Sequence, residues 1–173
     1  MQEVEFHKNF YRESIDAYSP EDIRSLHWNS EKSQLKRFQS LMRLGDFNHH
    51  SLLDVGCGRG DFLTFLSQKN ITLKSYLGID LMPEFIDFAQ KKHPHVSFQL
   101  GDFFKTHFSS PFDFIVCNGA LNLKEEDNLM LLKCMILKSL EIVKKAFGIT
   151  LLKHAPFYIN DPQFFHYQEK EVK

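Results

Sequence analysis

Leu52-Leu53-Asp54-Val55-Gly56-Cys57-Gly58-Arg59-Gly60-Asp61-Phe62 decides the fold of this chain. The apolar run ends in an acid and passes into three alternating glycines. It reads as a buried strand feeding a turn that bends with positive φ and lets a ligand approach where any Cβ would collide. A helical pattern opens at Asp61 immediately afterwards, so strand, loop and helix follow one another directly.

Outward from this point, short apolar runs alternate with longer helical ones, the signature of βαβ units and of an α/β, doubly wound, mostly parallel sheet. Strands are expected at Leu52–Val55, Tyr76–Ile79, Val96–Leu100, Phe112–Cys117 and Phe147–Leu152. Helices are expected at Asp61–Gln68, Pro83–Lys92 and from about Glu125 to Lys145. The strand runs are near-continuous in apolar residues, as parallel strands covered on both faces should be. Asp161-Pro162 reads as an N-cap with proline at the first helical position, opening a short helix from Gln163 to Glu169.

Residues 1–47 read as a helical lead and residues 48–173 as one compact unit. In the lead, one helix is expected after Ser19, with Pro20 at its first position and Glu21 and Asp22 at its positive end. A second starts near Ser30, carries Leu35, Phe38, Leu41 and Met42 on one stripe, and stops at Gly45.

The glycine loop has two readings. A dinucleotide fingerprint needs Gly or Ala where this chain has Asp61, and a carboxylate there would repel a pyrophosphate seated at the helix start. A cationic, phosphate-free ligand fits better. Asp54-Val55-Gly56-Cys57-Gly58-Arg59-Gly60 resembles, at every fixed position, the D/E-x-G-x-G-x-G motif of the class I S-adenosylmethionine-dependent methyltransferases. Tyr76-Leu77-Gly78-Ile79-Asp80, Gln99-Leu100-Gly101-Asp102-Phe103 and Phe112-Asp113-Phe114-Ile115-Val116-Cys117-Asn118 resemble that family's next three strand ends, in order.

The resemblance implies roles. Asp54, Gly56, Cys57, Gly58 and Gly60 would form the cofactor loop, and Asp80, with Leu81 beside it, would hold the ribose. A carboxylate has two acceptor oxygens and a vicinal diol two donors, so one side chain suffices there. Asp102 would accept from the adenine amino group, with Gly101 and Phe103 around the ring, while Asn118 and Gly119 would lie beside the methionine part. Trp28-Asn29-Ser30-Glu31-Lys32-Ser33-Gln34-Leu35-Lys36-Arg37-Phe38 is similar to a W-x-S-x-x-x-Q-x-x-R-F stretch of a small bacterial subgroup. It implies that Trp28 lies over the cofactor and that Arg37 or Gln34 meets its carboxylate.

The implied activity is methyl transfer to an unidentified small-molecule acceptor, with S-adenosylhomocysteine as product. No N/D-P-P-Y/F follows the fourth strand, where Asn118-Gly119-Ala120-Leu121 stands, so nothing points to amide or base nitrogens. Asn118, Asn122, His154 and His166 are candidates for the acceptor side, with no catalytic residue assigned. A cofactor-binding protein without turnover is the alternative; an NAD-dependent oxidoreductase is disfavoured by Asp61 and by the lack of acid–base machinery.

The family's fold has strands in the order 3-2-1-4-5-7-6, whereas Lys173 falls about where its fifth helix finishes. The C-terminal hairpin is therefore expected to be missing, leaving five strands and an apolar edge at Ile149-Thr150-Leu151-Leu152 open to self-association. A net charge of −1 offers no general attraction to nucleic acid or anionic membrane. Three scattered cysteines, with neither a leader-like N-terminus nor a spanning apolar stretch, read as reduced thiols of a cytoplasmic protein. The 9 histidines lack ligand spacing, so no metal is expected. The 18 phenylalanines read as core filling.

Overall fold

The computed structural model describes residues 2–154 and 161–172. Strands β1 (Ser51–Val55), β2 (Ser75–Asp80), β3 (Ser97–Leu100), β4 (Phe112–Asn118) and β5 (Val143–Thr150) form one sheet ordered β3-β2-β1-β4-β5. Every pairing is parallel, so the chain returns over the sheet through α3 (Asp61–Gln68), α4 (Pro83–Lys92) and α5 (Asn128–Ile142). This is the expected doubly wound α/β architecture. The order reverses between β1 and β4, and the crevice at their carboxyl ends is where such sheets bind ligands.

The central strand is buried on both faces. Leu52 packs with Phe47, Phe62, Phe65 and Phe114 on one side; Leu53 and Val55 pack with Ile79, Ile115 and Met135 on the other. Each fully buried side chain of this size contributes roughly 1.5–3 kcal/mol, which fixes the strand's register. The edge strand β3 is mostly exposed, so its apolar residues do not mark double-sided coverage as they do in β1.

Two expected helices are corrected. The first helix of the lead is α1 (Gln2–Tyr18), and Ser19, at φ 67°, ends it rather than opening another. Pro20 lies in the following turn, after which Asp22 caps only a single 3-10 turn, Ile23–Leu26. The inward face of α1 carries His7, Tyr11 and Ser14 among its apolar residues, which masks its periodicity. Helix α2 (Glu31–Leu41) starts as expected on Ser30, whose hydroxyl accepts from Ser33 N–H at 3.2 Å. Its buried residues are Gln34, Phe38 and Leu41; Leu35 is exposed and leaves the expected stripe.

Near the C-terminus, Asp161 accepts from Gln163 N–H at 2.9 Å, as an N-cap would, but no helix follows at Gln163. Phe164 bridges Leu123, Phe165 N–H donates to Asn122 O at 2.8 Å, and Tyr167 N–H donates to Leu152 O at 2.8 Å. These pairings, with Tyr167 buried and its hydroxyl on Leu121 O, hold the segment extended. Only Glu169–Val172 (α6) is helical. The long helix also gives way earlier than expected, at Ile142, because Val143 and Ala146 already pair with Phe112 and Phe114.

No helix among the described residues is long and apolar enough to cross a membrane.

Candidate functional site

The carboxyl ends of the strands open into a cavity of about 690 Å³. This lies within the ordinary range for small-molecule sites. The sheet end forms its floor, while α1, the Leu26–Asn29 turn and α2 form its roof.

The glycine loop leaves β1 with φ of 68° at Gly56 and 51° at Gly58. A Cβ at Gly56 would lie 2.4 Å from that of Ala120, so only glycine lets the loop after β1 press against the loop after β4. Gly58 N–H donates to Asp80 Oδ2 at 2.8 Å, and Met82 N–H donates to Asp80 Oδ1 at 2.9 Å. Burial raises the Asp80 carboxyl above its ordinary value, and these backbone bonds partly offset the rise. Each Asp80 oxygen keeps a lone pair for a further donor.

Asp54 is deeper. It is 2% exposed and accepts from the Tyr76 hydroxyl at 2.8 Å. Burial pushes its carboxyl up to about 7, against the lowering effect of the Tyr76 bond. Cys57 also lines the cavity, its thiol pushed up by burial. Asp102 Oδ1 accepts from Phe104 N–H at 2.8 Å and its Oδ2 pairs with Lys105 at 3.3 Å, placing Gly101, Asp102 and Phe103 on the cavity wall. Asn118 accepts from the Thr150 hydroxyl at 2.5 Å, which ties the end of β4 to β5.

On the roof, the Arg37 guanidinium stacks over Trp28 at 4.9 Å. Its Nη1 is buried with no hydrogen-bond partner among the described residues, and burial lowers its pKa. Both side chains crowd Gly119, coming within 3.5 Å of where a Cβ would stand. Gln34, expected as an alternative to Arg37, instead donates to Asp61 at 3.2 Å. Asp61 also pairs with Arg59 at 2.9 Å and Lys92 at 3.1 Å. Burial pushes the Asp61 carboxyl up, but these two cations outweigh it and hold it below its ordinary value.

The expected site residues Trp28, Gln34, Arg37, Asp54, Gly56, Cys57, Gly58, Asp80, Leu81, Gly101, Asp102, Phe103, Asn118 and Gly119 all line this one cavity. Gly60 does not. Its φ of 71° starts α3, and a Cβ there would face His93 and Phe98 on the far side. Of the acceptor-side candidates, Asn122 and His166 reach the cavity and His154 does not. Asn122 Oδ1 accepts from Leu152 N–H at 2.9 Å, so it mainly holds the loop.

His7, Tyr11, His27, Glu125 and Phe164 line the cavity and had no signal in the sequence. His7 Nε2 bonds Glu125 Oε1 across 118 positions, a pairing that no local motif could announce.

The family model described as "Methyltransferase domain" matches residues 46–170. Among curated proteins, malonyl-[acyl-carrier protein] O-methyltransferase of Hamiltonella defensa is 32% identical over 100 residues, which make up 55% of this chain and 38% of that protein. Among solved structures, the PH0226 protein of Pyrococcus horikoshii aligns with a TM-score of 0.62 at 18% identity, covering 84% of this chain and 66% of that one. N-methyltransferase NodS of Bradyrhizobium japonicum, solved with S-adenosyl-L-homocysteine, aligns at 0.60 and 20% identity, covering 78% and 68%. These structural likenesses carry the fold.

Proposed function

Because the chain belongs to the class I S-adenosylmethionine-dependent methyltransferase family, we propose that it transfers a methyl group from S-adenosylmethionine to a small-molecule acceptor. One observation carries this reading: a single cavity holds Asp80, with both oxygens preset by backbone N–H groups, and the buried, unpartnered Arg37 Nη1. The cofactor carries complementary groups, a ribose diol and a carboxylate. The residues present fit it.

Asp80 would take the ribose hydroxyls, Arg37 the carboxylate, and Asp102 with Phe103 the adenine. Asn118 and Gly119 would flank the methionine part. Asp54, beside the glycine loop, is held at about 7 by burial and would add negative potential for a cationic ligand once ionised. The bound cofactor supplies an activated methyl on a sulfonium, and the protein's contribution is to align an acceptor with it and exclude water. Asp61 is neutralised by Arg59 and Lys92, so repulsion of a pyrophosphate by Asp61 is weaker than its position alone suggests. The family, rather than Asp61, disfavours a dinucleotide.

Calorimetry with S-adenosylmethionine, S-adenosylhomocysteine and NAD tests this directly. Binding of both sulfur compounds and not of NAD is expected; the reverse sinks the reading.

A cytoplasmic location is supported by the free thiols of Cys57, Cys117 and Cys134. Self-association is supported by β5 at the sheet edge and by exposed Met130, Leu137 and Leu140 on neighbouring α5. A strictly monomeric species in concentrated sedimentation runs would count against it.

A further inference from the structure

One half of the cavity is bounded by α1, the loop between β4 and α5, and the extended C-terminal segment. Its walls are aromatic. His27 and Phe164 line it edge-on to one another at 5.8 Å, and Phe10 backs them from the core, stacked on His27 at 4.2 Å and edge-on to Phe164 at 5.8 Å. Glu125, Asp127 and Asp161 line this half, whereas the Lys and Arg side chains lining the cavity among the described residues are Arg37 and Lys105. Lys105 is paired with Asp102 and Arg37 is stacked on Trp28. An acidic, aromatic chamber attracts cations and repels anions.

In this chamber His7 and Glu125 are joined. The His7 ring directs Nε2 to Glu125 Oε1, and the two side chains are only 15% and 8% exposed. A carboxylate on Nε2 fixes the proton there and leaves Nδ1 as the basic nitrogen; Nδ1 has no hydrogen-bond partner among the described residues. Asp80 lies within electrostatic reach of His7, and Tyr11 follows one turn later on the same helix face. The pair therefore stands between the cofactor end and the aromatic chamber.

We propose that the acceptor is a small primary or secondary amine, bound as its ammonium in the acidic aromatic chamber, and that His7, oriented by Glu125, takes its proton. The inference rests on the methyltransferase reading. An ammonium has no lone pair and cannot attack until a base takes its proton; a hydroxyl acceptor would use the same base, so it is the acidic, aromatic lining that favours an amine. The proton passes from the ammonium to His7 Nδ1, and Glu125 meets the resulting positive charge. The freed nitrogen pair forms the N–CH3 bond as the methyl–sulfur bond breaks with its pair remaining on sulfur. The methylated ammonium leaves, and His7 returns its proton to water.

The first test needs no turnover. With S-adenosylhomocysteine saturating, benzylammonium should shift the His7 signal in spectra of protein carrying carbon-13-labelled histidine, identified by its loss in His7→Gln. Benzyl alcohol should not. No response of His7 to benzylammonium, or an equal response to the alcohol, overturns the amine assignment. In turnover with labelled cofactor and a panel of primary amines, His7→Ala should lose about 100-fold or more and regain part of it with added imidazole. His7→Gln and Glu125→Gln should keep S-adenosylhomocysteine affinity within about twofold, because neither is assigned to the cofactor. Transfer confined to hydroxyl or carbon acceptors, or a His7→Ala enzyme as fast as the parent, overturns the proposal. So does a His7→Ala loss that imidazole leaves unchanged. If the parent protein binds no S-adenosylhomocysteine, the methyltransferase reading itself fails; if it binds and only the amine responses are absent, the inference about His7 fails alone.

Discussion

Arg37→Met separates a ligand-binding arginine from a structural one, because the two roles move stability in opposite directions. In the free protein Arg37 Nη1 is buried without a partner among the described residues. Such a donor costs about 1–3 kcal/mol, while its stacking on Trp28 returns about 0.5–1 kcal/mol. Methionine keeps an unbranched stem against the indole, has a similar helix propensity, and removes the orphaned donor. The free variant should therefore be as stable as the parent or up to about 2 kcal/mol more stable, a rise of several degrees for a domain of this size.

Cofactor binding should respond oppositely. A hydrogen bond between charged groups contributes about 1.5–3 kcal/mol, so losing the one from Arg37 to the carboxylate should weaken S-adenosylhomocysteine by roughly 10–150-fold. Methylthioadenosine, which has the ribose and adenine but no carboxylate, should bind both proteins alike. Calorimetry with the two ligands and a thermal melt of the free protein complete the test. Equal weakening of both ligands, or a melting temperature several degrees lower, would refute the carboxylate assignment and make Arg37 a packing residue.

Three further perturbations address the floor of the cavity. Asp80→Ala leaves Gly58 N–H and Met82 N–H without their acceptor and removes the ribose partner, so S-adenosylhomocysteine and methylthioadenosine should both weaken by about 150-fold or more in calorimetry, from two lost charge-assisted bonds. Gly56→Ala combines a φ of 68° with a Cβ placed 2.4 Å from that of Ala120, and should cost about 2–5 kcal/mol in chemical unfolding. Asp54 should give a pH signature: its folded value of about 7 lies above the ordinary 3.8, so the folded state holds this proton longer and stability falls as pH rises from about 4 to about 7. Asp54→Asn should therefore gain on the parent across that window and keep a constant advantage above it, at most ~4 kcal/mol; a difference independent of pH would contradict the buried-acid assignment.

The strand–loop–helix at residues 52–68 was legible because each of its constraints is local. Apolar residues make the strand, positive φ demands glycine, and the helix bounds at Asp61–Gln68 and Pro83–Lys92 follow from periodicity beside a glycine or proline start. Where tertiary pairing competes with local preference, the sequence misleads. Asp161-Pro162 has the chemistry of a helix start, yet the backbone groups of Phe165 and Tyr167 find partners in the loops after β4 and β5, and extended chain wins. Likewise α1 hides because its inward face presents polar His7 and Ser14 to a cavity and to His27 instead of an apolar stripe to the core.

The same distinction divides the site. In a parallel sheet, every residue just beyond a strand's carboxyl end is brought to one rim by the topology alone, so Asp80, Asp102 and Asn118 could be named from strand ends without knowing any long-range contact. The chamber beyond them has no such rule. His7 meets Glu125 where α1, as part of the roof, packs through Ile15 on Met82 and Phe85, and where the segment after Asp161 folds back to seat Phe164 against Phe10. On the proposed reading, acceptor recognition would depend on packing between distant segments, while the ribose and adenine of the cofactor would be held by the turns after the strands. On that reading, substitutions on the inward face of α1 would alter the chamber without touching the loop that follows β1, which would give one scaffold a route to new acceptors at constant cofactor chemistry.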